Sequence, residues 1–470
     1  MELDPENVES RFALTIAQIP KVSNDVEELH HSRIGFSEYL QTLAHFNLDH
    51  ESTGSIISNI GRHPFYLAYQ EEKNLSLLNQ YGDICVSSAK NIQAILESPS
   101  AAPASGANKI RIGIVSHYFC DHPVWHAITK GWVKHLNPDL FEIHAFNTKG
   151  VEDEETKLAK ENISSYTYFT SSIIETAKLI INKRLDVLLF PEIGMDATTK
   201  ALACLRLAPM QVASWGHPET TGLPTIDYFL SAESFEPEEG QANYRERLMT
   251  LPKLGTYFES EITEGVKFSP SKFNINQNHP ILLCAGSPSK YSPLNDSVFI
   301  EIAQGLGNCQ FIFFNFQEEL TEILKDRLYK AFNKANLNPE KFIKFLPFLS
   351  REEFYGLMLR SDLYLDTIGF SGFNTAMKAI SCDLPIASRE GLFMRGRLAS
   401  AIFRNLEMSE LISATNEKYV ESVVNLIKNK GELSAYKEKI SSRKAQLFND
   451  MGPIKVLEQF LIQISKSPLQ

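Results

Sequence analysis

A chain of 470 residues is too long for one ordinary domain, and a prior of about 150 residues per domain predicts roughly three units, two large lobes and a smaller appendage. Apolar residues at 43% and charged residues at 22% exclude a disordered chain and leave a folded protein with large cores. A net charge of -11 argues against a broad nucleic-acid surface, which needs clustered Lys and Arg, but leaves room for a local pocket that takes a small anion.

No run reaches the ~18 consecutive apolar residues that span a bilayer, and the opening residues are acidic where a secretory signal is basic and then apolar. The expectation is a cytoplasmic protein with no membrane span. Cys85, Cys120, Cys204, Cys284, Cys309 and Cys382 are scattered singly, without a C-x-x-C pair or zinc spacing, which predicts reduced and mostly buried thiols.

Residues 1–95 carry apolar residues at helical spacing, as in Ile34, Phe36, Tyr39, Leu40 and Leu43 and again in Leu75, Leu77, Leu78 and Tyr81. They predict a helical N-terminal region. Residues 96–108, rich in Ser, Ala, Pro and Gly, read as a linker. From 109 to 270 the pattern becomes strand, helix, strand: apolar runs at 110–115, 141–146 and 187–190 alternate with helical patterns at 126–136 and 173–182. The alternation restarts at 280 with further strands at 310–316, 342–347 and 362–367, and with helices at 298–306, 320–333 and 351–359. The tail from 419 to 464 reads as helices, with Val420, Val423, Val424 and Ile427 on one face. Continuous apolar strands alternating with helices predict an α/β fold with two Rossmann-like lobes, at 109–270 and at 271–470, the latter including the C-terminal helices.

Open parallel sheets bind ligands outside the carboxyl ends of their strands, so the loops there are the places to look for chemistry. Four stand out, and each has a plain structural alternative. The loop after the first strand crowds His117, Asp121, His122 and His126 before a helix, where an imidazole could act as acid, base or polar clamp, or could simply cap and pack. The H-x-x-x-H spacing suits a metal, but no third ligand is visible and none is expected. The stretch from Trp215 to Phe229, with Gly216, His217 and Pro218, is a rigid turn that exposes amides or else an ordinary connection. After the strand at 281, Ser287 and Lys290 lie among small residues, where an ammonium could neutralise a diphosphate or be merely solvated. Gly369 and Gly372 lead into a helix near Asn374 and Thr375, whose free amides would bind phosphate unless one of those side chains caps them. Beyond it Arg395 and Arg397 could fork onto phosphate or form ion pairs.

Taken together, residues 207–255, the histidine loop 122–126, Lys290 with Pro293, the segment 346–367 and the segment 372–413 resemble the O-GlcNAc transferase family (glycosyltransferase family 41), in its bacterial branch. The resemblance covers about residues 109 to 465. Residues 63–70 also resemble the segment preceding the catalytic region in bacterial members, without a full tetratricopeptide repeat array.

The family implies a GT-B fold, an inverting reaction without a required metal or cofactor, a UDP-sugar donor and a protein acceptor. Acceptors that are glycans or lipid-linked precursors, and a decayed module that only binds protein, remain as alternatives. By the same resemblance His122 would lie at the sugar and acceptor, with His126 beside it. Lys290 would contact the donor diphosphate, with Gly372, Phe373, Asn374 and Thr375 at the helix start next to the pyrophosphate. Backbone around Gly216 and Pro218 would line the sugar pocket. The chain departs from the family at the nucleotide. Phe354 and Phe373 stand where histidines are expected, Lys378 replaces the acid expected at the ribose, and Ile181 stands near a histidine once considered a base. Phe354 or Phe373 could stack on the nucleotide base instead.

Overall fold

The computed structural model describes residues 7–44, 52–96, 109–150, 152–260 and 268–466. The proposed linker at 96–108 therefore lies, except for its first residue, outside the described residues. No helix among them is long and apolar enough to cross a membrane.

Two parallel sheets dominate. The first holds β1 (Ile110–Ser116), β2 (Phe141–Asn147), β3 (Ser165–Tyr168), β4 (Val187–Phe190), β5 (Met210–Ser214), β6 (Tyr228–Ala232) and β7 (Arg247–Leu251), in the order β3-β2-β1-β4-β5-β6-β7. The second holds β8 (Ile281–Leu283), β9 (Gln310–Phe314), β10 (Ile343–Leu346), β11 (Leu363–Leu365), β12 (Ile386–Arg389) and β13 (Ile412–Ser413), in the order β10-β9-β8-β11-β12-β13. Every strand pairing is parallel. Central strands are buried on both faces, as all four residues of β4 are, and so their sequences are apolar without alternation. This is the α/β, two-lobed GT-B architecture expected from the sequence.

Local rules explain the helices that cover the sheets. In Ile173–Asn182, the Ser172 side chain accepts a hydrogen bond from the Glu175 N–H at the start, and Ile173, Thr176, Ala177, Ile180 and Ile181 form the buried stripe. Ile181 thus belongs to the core. In Val26–Ala44, Phe36, Leu40 and Leu43 are buried, whereas Ile34 and Tyr39, at the same sequence spacing, are exposed. All six cysteines are free and only Cys382 is not fully buried.

The sequence reading grouped the whole C-terminal tail with the second lobe, but the last helix, Gly452–Lys466, returns to the first. Its buried stripe of Ile454, Leu457, Phe460, Leu461 and Ile464 needs an apolar surface, and it finds one on the first sheet. The Phe460 ring meets the edge of Tyr228 at 5.1 Å, and the Glu458 carboxylate accepts the Asn137 N–H at 2.7 Å.

The N-terminal helices tie the lobes together through the irregular segment 63–74. On the first lobe, Phe65 stacks on His217 at 4.7 Å and the Asn74 amide donates to Glu219 at 2.9 Å. On the second, Tyr69 stacks on Phe370 at 4.3 Å, and Glu71 grips the Arg389 guanidinium and accepts the Leu392 N–H. Between them Glu219 of the first lobe pairs with Arg395 of the second at 2.8 Å, their side chains 5% and 2% exposed. Arg395 also donates to the carbonyls of Gln70 and Glu72, at 3.0 and 2.7 Å. Removing one partner of such a pair strands the other charge in a dry site. Arg395→Met is expected to cost about 3–5 kcal/mol in unfolding free energy, with much of the loss recovered in Arg395→Met/Glu219→Met. Chemical denaturation of both variants checks this, and equal losses would mean that the charge pair is not the origin.

Candidate functional site

The strand order reverses direction twice, between β1 and β4 in the first lobe and between β8 and β11 in the second. Loops leaving the carboxyl ends of two neighbouring strands on opposite sides of the sheet open a crevice at each such point. The histidine loop follows β1, Lys290 follows β8 and Gly372 follows β11.

In the second lobe, the turn Pro288–Lys290 is closed by the Lys290 N–H donating to the Ser287 carbonyl at 2.9 Å, which aims the lysine across the crevice. Its Nζ donates to the Ser371 carbonyl at 3.4 Å and sits 4.8 Å from the centre of the Phe370 ring. Burial pulls the ammonium down to about 8, against the opposing pull of the Asp366 carboxylate. The loops after β8 and β11 touch: a Cβ at Gly286 would come within 2.6 Å of Thr367 Cγ2, so a side chain there would force them apart.

The helix Phe373–Ser381 begins at Gly372, which offers no side-chain cap. Neither Asn374 nor Thr375 caps it, so the amides of its first turn, after Gly372, lack the side-chain partner that most helices provide. Asp366 shapes this end from below. Its carboxylate accepts the Gly372 N–H at 3.0 Å and the hydroxyls of Ser371 and Ser388 at 2.7 and 3.2 Å. A Cβ at Gly372 would lie 3.8 Å from Lys290 Nζ and 3.9 Å from Thr375 Cβ. Lys290 and Thr375 therefore converge on one point from two different loops. Asp366 had no distinguishing signal in the sequence beyond its place at the end of a strand.

In the first lobe, His122 stacks flat on Tyr118 at 3.6 Å and its Nδ1 accepts the Val124 N–H at 3.2 Å. The neutral ring then carries its proton on Nε2. Burial, helped by Lys149 and the neighbouring histidines, lowers its pKa to about 4. His126 turns away and engages Asp121 at 2.7 Å, so the two histidines of the H-x-x-x-H spacing are committed to different partners.

Several expected site residues have other duties. Arg395, read as a fork for phosphate, is spent in the buried pair with Glu219. Phe373, read as a ring for the nucleotide base, is buried in an interlobe aromatic cluster with Trp215, Phe235 and Phe258, at 5.1, 5.7 and 5.8 Å. Phe354 packs edge-on against Phe314 at 5.6 Å, and Lys378 lies half-buried on the helix that Phe373 begins. His217 is buried between Phe65 and His63, and burial with the nearby Arg395 charge pulls its pKa down to about 3. The Gly216 N–H is taken by the Pro191 carbonyl at 2.9 Å, and a Cβ on Gly216 would be 2.7 Å from Glu192 Cβ. Pro218, buried beside it, has no N–H to offer. The turn 215–218 thus joins the lobes and supports the site from behind.

Residues 49–278 match the model of the glycosyl transferase family 41. A probable UDP-N-acetylglucosamine–peptide N-acetylglucosaminyltransferase, SEC, from Arabidopsis thaliana is 23% identical over 75% of this chain and 37% of its own length. A UDP-glucose:protein N-beta-glucosyltransferase from Actinobacillus pleuropneumoniae is 25% identical over 60% of this chain and 44% of its own. The chain thus spans less than half the length of these curated relatives. Among solved structures, a mutant O-GlcNAc transferase from Thermobaculum terrenum shares the fold with a TM-score of 0.74 and 18% identity, over 99% of this chain and 86% of the other. The family match over residues 49–278, the ordered motifs and the two-lobed fold agree in relating this chain to glycosyl transferase family 41.

Proposed function

We propose that this chain is an inverting, metal-independent glycosyltransferase that moves GlcNAc or glucose from a UDP-sugar to a protein side chain. The observation that carries this reading is the convergence of the Lys290 ammonium with the uncapped amides of the helix Phe373–Ser381 at the second lobe's switch point. A fixed cation and a helix N-terminus stabilise the negative charge that grows on a departing nucleoside diphosphate, and they do so without reorganising. The names of the two curated relatives supply the rest: both are described as acting on protein or peptide, one with a UDP-N-acetylglucosamine donor and one with UDP-glucose.

The donor phosphates would lie between Lys290, Gly372, Asn374 and Thr375, with the sugar directed toward the first lobe. There the Nε2–H of His122 is a hydrogen-bond donor, and the ring is too weak a base near neutrality to take a proton. His122 would orient a sugar or acceptor oxygen. Asp366 is a positioning residue that holds the loop before the helix.

Two measurements test this. With labelled UDP-GlcNAc and UDP-glucose and a cell lysate as acceptor, Lys290→Ala is expected to lower incorporation into protein by roughly 10²–10³-fold, as loss of one preorganised charge-stabilising donor does; undiminished labelling removes the lysine from the reaction. Calorimetry of UDP binding should show a pH dependence of definite sign. The free lysine titrates near 8 and an arriving diphosphate favours its charged form. Affinity should hold below that pH and fall by up to about tenfold per pH unit above it. A Lys290→Met variant should lose that dependence, and a wild-type affinity unchanged from pH 7 to pH 9 would contradict it.

A further inference from the structure

A second imidazole stands at the first lobe's switch point. His117 immediately follows β1, Thr148 immediately follows β2, and Asp196 ends the loop after β4, where it caps the helix Ala197–Ala203 by accepting the Thr199 N–H at 2.7 Å. Three adjacent strands therefore deliver three polar side chains to one spot.

Their hydrogen bonds settle where the ring proton lies. The Thr148 hydroxyl donates its one proton to Asp196 Oδ2 at 3.1 Å, so its oxygen, 3.0 Å from His117 Nδ1, can only accept from that nitrogen. Asp196 Oδ1 lies 3.4 Å from the same nitrogen. The proton of the neutral ring is thus on Nδ1, and Nε2 carries a lone pair. The backbone is fixed as well, because the His117 N–H donates to the buried Glu192 carboxyl at 2.7 Å. His122 has the opposite tautomer. The two rings flank Tyr118, His117 at 5.0 Å and His122 at 3.6 Å, one presenting an acceptor and the other a donor.

We propose that His117, oriented by Thr148 and Asp196, is the general base of the reaction, and that His122 is not. This rests on the transferase reading above and deepens it. The acceptor's nucleophilic atom forms a bond to the anomeric carbon while the bond from that carbon to the diphosphate oxygen breaks, the electron pair leaving with UDP. The acceptor proton passes to His117 Nε2, and the resulting imidazolium keeps its Nδ1–H on Thr148 and Asp196. A base whose second nitrogen is held by a carboxylate is the arrangement that general-base catalysis on a neutral nucleophile needs.

The charged and titratable groups around His117 are Asp196, Lys149, Glu192, Tyr118 and His122. Burial is the largest influence and lowers its pKa, Asp196 opposes and Lys149 assists. The ring is therefore unprotonated near neutrality, and activity should fall as the pH drops below the ordinary histidine range.

The test measures label incorporation from UDP-GlcNAc and UDP-glucose into lysate protein across pH 5 to 9, with UDP binding by calorimetry alongside. His117→Gln is expected to lose roughly 10²–10⁴-fold in kcat and the acid limb of the pH profile, with UDP affinity unchanged. Asp196→Asn, which can still cap its helix, should lower kcat and move the acid limb to lower pH. His122→Gln should keep the limb. Retention of rate and limb in His117→Gln, beside an active wild type, would overturn the base assignment and leave the transferase reading standing. A wild type that neither binds UDP nor labels protein would overturn both.

Discussion

The arrangement of this molecule depends on one buried ion pair between its lobes. Glu219 and Arg395 are both almost fully removed from water, which is tolerable only because each is paired and hydrogen-bonded. The pair is completed by neither lobe: the Asn74 amide serves Glu219, and the carbonyls of Gln70 and Glu72 serve Arg395. Segment 63–74 therefore behaves as part of the interface, and the N-terminal helices are its scaffold. Around the pair the contact is aromatic, with Phe65 on His217, Tyr69 on Phe370, and Phe373 among Trp215, Phe235 and Phe258. Rings and a dry ion pair together specify one mutual orientation more sharply than apolar area alone, since a small rotation would unpair both charges.

Each lobe carries its own switch point. Each comes from the same topology, but the chemistry on the two edges differs. The second lobe presents positive potential, from Lys290 and from helix amides that no side chain caps, above the buried Asp366 that holds the turn. The first lobe presents imidazoles whose protons are assigned by their neighbours. Tyr69, contributed by the N-terminal region, stacks on the same Phe370 that the Lys290 ammonium faces. The cation's surroundings are thus assembled from three separate parts of the chain.

Much of this was legible beforehand because it obeys local rules. Runs such as Val187–Phe190 are apolar on consecutive positions, which only a strand covered on both faces requires, and Ile173–Asn182 shows a serine cap and a 3.6-residue stripe. Six strands, β3, β5, β6, β7, β12 and β13, have no counterpart in the sequence expectations, because none exceeds five residues and each carries Ser, Thr, Gln or Arg that interrupts an apolar run. Lys290 and Thr375 could be named from their motifs and their places after strands. Phe373 and Arg395 could not be placed, since a phenylalanine at a helix start and an arginine near a glycine look the same whether they face a ligand or another lobe.

The sequence by itself determined the α/β class of the two lobes, their most apolar strands, the glycine-led helix start and the family that the motifs resemble, because each is written in neighbouring residues through periodicity, capping and spacing. Tertiary structure alone decided that the last helix returns to the first lobe, that segment 63–74 cements the interface, that Arg395 meets Glu219, and which nitrogen of His117 and of His122 holds the proton. Those outcomes depend on partners tens to hundreds of residues away, and a hydrogen bond's direction is fixed by what lies across it in space.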